Sequence, residues 1–238
     1  MATRLMHLVV DANDLSALAR FWAAALRWKI TEEEPDEVVV EPPSGPGLPL
    51  VFVPVPEAKT GKNRVHLDLA SSSPEDQAAI VERLIGLGAR PADVGQLDVP
   101  WVVLADPEGN EFCVLEPREE YRDTGALAAV VVDTPDPVAL APFWAAASGL
   151  AIREQNENFA SLRNDSGPWL ELLRTTDPKT VKNRLHPDVA PYIGDDHAAE
   201  VARLVELGAT PADVGQGEAR WVVLTDPQGG EFCVLTPR

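Results

Sequence analysis

Two stretches of this chain concentrate the residue types that do chemistry. Lys62-Asn-Arg64-Val-His66-Leu-Asp68 sets an imidazole two residues from a carboxylate and two from a guanidinium, and Lys182-Asn-Arg184-Leu-His186-Pro-Asp188 sets out the same groups again. Residues two apart in a strand share a face, so Arg64, His66 and Asp68 point one way and Val65, Leu67 and Leu69 the other. A histidine so placed can bind a metal or move a proton near neutral pH. It can equally be a polar floor residue hydrogen-bonded to its aspartate. Cys113 and Cys233, the two cysteines of the chain, each lie in a Glu-Phe-Cys-Val-Leu strand. A strand cysteine serves as a metal ligand, as a nucleophile or as a small buried apolar group. The Lys-Asn-Arg clusters could grip an anionic substrate group near a pocket mouth or pair with local carboxylates. Trp101 and Trp221 either pack in the core or line a pocket as an aromatic wall. The paired aromatics Phe21-Trp22 and Phe143-Trp144 fall on amphipathic helix faces and read as packing. Gly-rich phosphate loops, a Ser/His/Asp triad and a dinucleotide fingerprint find no match.

The elements that carry these residues are written twice. Pro91-Ala-Asp-Val-Gly-Gln96 returns unchanged as Pro211–Gln216, and Trp101–Leu115 returns with few changes as Trp221–Leu235. The offset is 120 from Lys59 to Arg118, and 122 at Phe21-Trp22 against Phe143-Trp144. A period of that length is domain-sized, well above the roughly 20–50 residues of solenoid repeats. The chain therefore reads as domain one over 1–118, a charged linker over 119–125 and domain two over 126–238. Within copy one, strands are expected at Leu5–Val10, Val38–Glu41, Leu48–Val53, Val65–Ala70, Trp101–Leu104 and Glu111–Leu115. The Pro42–Gly47 turn separates two of them, and Asp106-Pro-Glu-Gly109 makes a hairpin. Asp14 caps one helix, and Ser73-Pro74 opens another that Gly88 ends. His7-Leu-Val-Val-Asp before one helix mirrors His66-Leu-Asp-Leu-Ala before the other. Each copy is thus a weaker duplication in itself: two βαβββ units per copy, four per chain.

Composition bounds the function. The chain has 238 residues, 45% of them hydrophobic, enough for one large or two ordinary cores. With 20 Lys+Arg against 38 Asp+Glu the net charge is −18, which repels phosphate backbones and anionic lipid and argues against nucleic-acid and membrane partners. No stretch approaches the ~18–20 apolar residues of a bilayer span. Met1–His7 runs into a strand pattern without the regions of a secretory signal. With two cysteines there is no disulfide scaffold, so a reduced, cytoplasmic protein is expected.

Paired βαβββ units ending in Asp-Pro-x-Gly-x-Glu-Phe-Cys-Val-Leu resemble the vicinal oxygen chelate superfamily of glyoxalases, bleomycin-resistance proteins and extradiol dioxygenases. The Lys-Asn-Arg-x-His-x-Asp stretch with Trp-Val-Val-Leu-x-Asp-Pro-x-Gly resembles its glyoxalase-like branch. The resemblance covers nearly the whole chain, twice. It implies an α+β fold of two tandem domains, each a pair of βαβββ units curled into a cup-shaped mixed sheet with helices on the outer face. It also implies a divalent metal on the cup floor, bound from the first and last strand of each unit. Those positions are His7, His66 and Cys113 in copy one, with the fourth near Val51, and Ala129, His186 and Cys233 in copy two, with Glu171 near the fourth. Two imidazoles and a thiolate suit zinc best. Arg64, Asp68, Trp101, Arg184, Asp188 and Trp221 are the expected substrate-binding residues. The resemblance leaves two functions open, and with them whether the protein is an enzyme. One is metal-assisted lyase, isomerase or oxygenase chemistry on a small oxygenated metabolite in the cup of copy one. The other is non-catalytic sequestration of a cationic or aromatic compound. The partner is a small molecule in either case, and the chain is a monomer or homodimer.

Overall fold

The computed structural model describes residues 2–45 and 47–238; Met1, and Pro46 in the expected Pro42–Gly47 turn, lie outside the described residues. The first unit is β1 (Thr3–Ala12), α1 (Leu15–Leu26), β2 (Lys29–Glu34), β3 (Glu37–Glu41) and β4 (Leu50–Pro54). The second is β5 (Val65–Leu69), α2 (Pro74–Gly86), β6 (Arg90–Pro91), β7 (Val102–Ala105) and β8 (Glu111–Val114). Copy two repeats them as β9 (Leu127–Thr134), α3 (Pro137–Ser148), β10 (Ile152–Asn156), β11 (Phe159–Leu162) and β12 (Trp169–Arg174), then β13 (Leu185–Pro191), α4 (His197–Glu206), β14 (Thr210–Pro211), β15 (Val222–Thr225) and β16 (Glu231–Val234). Four βαβββ units are present, as the sequence pattern requires. β2 escapes that pattern because Lys-Ile-Thr-Glu-Glu-Glu is an almost wholly exposed edge strand with no apolar alternation.

Helix boundaries follow local chemistry. Asp14 Oδ1 accepts from Ala17 N at 3.0 Å, and Asp136 Oδ1 accepts from Ala139 N at the same distance, so each satisfies an orphan donor of α1 or α3. Ser73 caps α2 ahead of Pro74, with Glu75 and Asp76 in the first turn where the helix dipole favours them. Gly149 ends α3 at φ 73°, a left-handed conformation that a side chain resists. Trp22 packs edge-on against Phe21 and Phe112, and Trp144 against Phe143 and Phe232. The helix aromatics are core residues, as expected.

The units combine into two eight-stranded mixed sheets, and here one expectation is corrected. The two units of one copy do not form a cup together. One sheet runs β14-β15-β16-β13-β1-β4-β3-β2, joining the first unit of the chain to the last; the other runs β10-β11-β12-β9-β5-β8-β7-β6, joining the two middle units. The seams are antiparallel, with Val9 opposite His186 and His66 opposite Val131. Both seams join strands far apart in the chain, so the pairing is fixed by tertiary contacts and not by neighbouring sequence. One face of each sheet meets the helices in a shared apolar core containing Leu67, Phe112, Val130 and Leu172. The opposite faces carry smaller apolar clusters and the polar residues of interest.

Candidate functional site

Strand parity puts His66 and Asp68 of β5 on the face away from the helices, and the β5–β8 register sets Asp68 beside Cys113. His66, Asp68 and Cys113 offer ligand atoms that all lie within 4.8 Å of one another, and His186, Asp188 and Cys233 repeat the arrangement on the other sheet. His66 Nε2 stands 3.4 Å from Asp68 Oδ1, yet that oxygen has no aligned hydrogen-bond donor. Asp188 Oδ1 and His186 Nδ1 are likewise buried without a partner.

Burial and charge tune the two clusters differently. Desolvation pulls the His66 imidazole down, but Asp68 beside it, with Asp133, outweighs this and leaves its pKa above the ordinary 6.5. At His186 desolvation prevails over Asp188 and the pKa falls. Both thiols are pushed far up by burial and by the neighbouring aspartate, so they stay protonated unless a cation displaces the proton.

The expected ligand set His7, His66 and Cys113 is divided by the strand pairing. His7 lies on the outer-unit sheet, where its Nε2 meets Asp188 Oδ2, the aspartate of the other cluster, at 2.9 Å. Glu171, assigned by the resemblance to the set of His186 and Cys233, lies instead on the middle-unit sheet. The β9–β12 register pairs Glu171 with Val131, and the β1–β4 register pairs Val51 with Val9, so Glu171 and Val51 hold equivalent positions. One cup floor therefore carries His66, Cys113, Ala129 and Glu171, and the other His7, Val51, His186 and Cys233. Aspartates 68 and 188, expected as substrate contacts, sit inside the ligand clusters.

The middle-unit sheet curls around a cavity of about 820 Å³ whose lining runs from Trp101 and Cys113 to Phe159, Trp169 and Glu171. Arg118, Glu120 and Tyr121, from the segment between the repeats, also line it. Glu119–Tyr121 forms a single 3-10 turn, and the buried Tyr121 phenol donates to Glu171 Oε1 at 2.9 Å. Trp169 Nε1 donates to Glu120 O at 3.1 Å, and the Arg118 guanidinium lies 5.8 Å from the Trp101 ring centre and 5.7 Å from that of Tyr121. Desolvation, partly opposed by the Tyr121 hydrogen bond, raises the Glu171 carboxyl to about 7. Tyr121 was not visible as a site residue in the sequence, because it sits in a charged connecting segment; that it is one of two tyrosines in the chain was the available signal. Trp221, the counterpart of Trp101, is 44% exposed.

The arginines are also relocated. Arg64 and Arg184 line a different cavity, while Lys62 and Asn63 reach the cup. Salt bridging accounts for three members of the clusters: Lys62 with Asp133 at 2.8 Å, Lys182 with Asp11 at 2.5 Å and Arg184 with Glu108 at 2.8 Å.

With this geometry in place, similarity to known proteins decides the family. The model of the glyoxalase-like domain matches residues 7–115 and again 129–235. The chain belongs to the glyoxalase-like domain family. Glyoxalase I from Zea mays superposes with a TM-score of 0.68 at 16% identity, over 99% of this chain and 92% of that one. A putative dioxygenase from Bacillus subtilis subsp. subtilis str. 168 superposes at 0.64 and 13% identity, over 98% and 84%. At such identities the likeness is one of fold. No curated protein matches the chain in sequence. Among the described residues of this glyoxalase-like protein, no helix is long and apolar enough to cross a membrane.

Proposed function

We propose that the cup built by β5–β12 is a reaction site for a small oxygenated metabolite, working by proton transfer with the help of a divalent ion. The observation that carries this reading is Glu171: a carboxyl from copy two, held near neutrality, shares a cavity with the His66/Asp68/Cys113 cluster of copy one. A group with a pKa near the working pH can both take up and return a proton, as lyase and isomerase chemistry needs. Tyr121 fixes one carboxylate oxygen of Glu171, and Trp101 with Trp169 presents flat apolar surface that excludes water.

The cluster fits a metal. Asp68 Oδ1 is a buried carboxylate oxygen without a donor, and one imidazole, one carboxylate and one thiol form a mixed donor set that suits zinc before iron or manganese. Bound there, the ion would polarise a substrate oxygen. Two unpaired, buried cysteines support the cytoplasm as the compartment. Each cup is complete within one chain, which supports a monomer.

The test is metal analysis of protein purified without chelator or affinity-tag nickel. Bound zinc that falls by about one per chain in His66→Ala and Cys113→Ser and is kept in Glu171→Gln supports the reading. A second reading, sequestration of a cationic aromatic compound, draws on the Trp101 and Trp169 walls together with Glu120 and Glu154 at the cavity. Metal-free protein that binds a basic aromatic compound at roughly micromolar affinity would establish it in place of the first.

A further inference from the structure

The second cavity, of about 830 Å³, forms where the repeated segments Lys59–Arg64 and Lys179–Arg184 face each other, and its lining includes neither His/Asp/Cys cluster. Six cations border it, of 20 in the whole chain. Five have a carboxylate of their own: Lys59 pairs with Glu111 at 2.8 Å, Lys62 with Asp133, Lys179 with Glu231 at 2.6 Å, Lys182 with Asp11 and Arg184 with Glu108. Arg64 is the exception. Its Nη1 donates to the carbonyl of Asp177, as Arg184 Nη1 does to that of Glu57, and the Nε atoms of both arginines are buried without a partner; but among the described residues no carboxylate reaches the Arg64 guanidinium.

The cause is one substitution between the copies. Glu108, at the β7–β8 turn, accepts from Asn13 N and Asp14 N and from Arg184 Nη2. Its counterpart in copy two is Gln228, at the β15–β16 turn. Gln228 accepts from Thr134 Oγ1 and Asp136 N and lines a crevice with Arg64, but brings that arginine no charge. The internal counterion of one half is thus missing from the other.

We propose that Arg64 takes this counterion from outside, so that the cavity is a binding site for a small carboxylate ligand, separate from the cup. A guanidinium is a fixed fork of donors matched to an oxyanion, and partial burial strengthens the pairing. Glu57, Asp177 and Asp213 also border the cavity and oppose any anion in proportion to its charge, so a monocarboxylate is disfavoured less than a polyanion and the Arg64 fork must supply the attraction.

The test follows amide shifts of residues 59–64 and 179–184 by NMR as acetate replaces chloride at constant ionic strength. The expected result is saturable binding with a Kd on the order of millimolar. Arg64→Gln should abolish it. Gln228→Glu, which restores the internal carboxylate, should weaken it at least about tenfold. Inorganic phosphate should bind more weakly than acetate. Non-saturating shifts, an acetate isotherm unchanged by Gln228→Glu, or phosphate binding as tight as acetate would each overturn the proposal.

Discussion

The Nε2 atom of His7 lies 2.9 Å from Asp188 Oδ2, a contact between residues 181 positions apart that joins the first βαβββ unit of the chain to the last. It is the signature of a molecule whose two cups are each shared between the repeats. Separate production of residues 1–118 and 126–238 should therefore give chains that do not stay monomeric, because the first leaves the seam edges of both β1 and β5 unpaired and the second those of both β9 and β13. Mixed together, they should form a 1:1 complex by light scattering. Two stable monomers with native circular dichroism would contradict the shared-cup arrangement.

Glu171 should trade stability for function. Its ordinary pKa is 4.5 and burial first of all raises it to about 7, so the folded protein keeps a proton that the unfolded chain has released between those values. Stability attributable to this group falls as pH rises through that window. Glu171→Gln keeps an acceptor for Tyr121 and should stabilise the protein by on the order of 1–3 kcal/mol at about pH 8, with little effect at about pH 4. Urea unfolding at both pH values measures this; equal effects at the two would refute it.

The two cluster histidines should titrate apart in metal-free protein. His66, raised by Asp68 and Asp133 against the pull of desolvation, should gain its proton at a higher pH than His186, which desolvation lowers. His66 then contributes stability at low pH that is lost as pH rises through its folded value. His186 contributes above about 6.5, and that share is lost as pH falls. Imidazole NMR resolves the order directly, and His186 titrating above His66 would contradict it.

Asp106 should be the costlier of two equivalent turn aspartates to remove. Fully buried, it accepts from Trp22 Nε1 at 3.1 Å, Glu108 N at 3.0 Å, and Asn110 N and Nδ2 at 2.9 Å. Asp226 has the matching bonds from Trp144, Gln228 and Gly230, but Gly230 supplies no side-chain donor. Asp106→Ala should cost about 3 kcal/mol and Asp226→Ala about 2 kcal/mol, since each strands buried donors. Thermal melts that rank them the other way would count against this account.

Much of the molecule was readable residue by residue. The caps at Asp14 and Ser73, the Asp106–Gly109 turn and the face shared by His66 and Asp68 rest on contacts within a few positions, and the duplicated segments mark out four units in the sequence itself. That His66 and Cys113 meet also follows from pairing inside one unit, β5 beside β8. What joined His7 to Asp188 and brought Glu171 into one cavity with His66 was the choice of which unit edges pair. That choice is not encoded locally: each of β1, β5, β9 and β13 opens a βαβββ unit, and which two meet is fixed by contacts between residues far apart in the chain, Val9 with His186 and His66 with Val131.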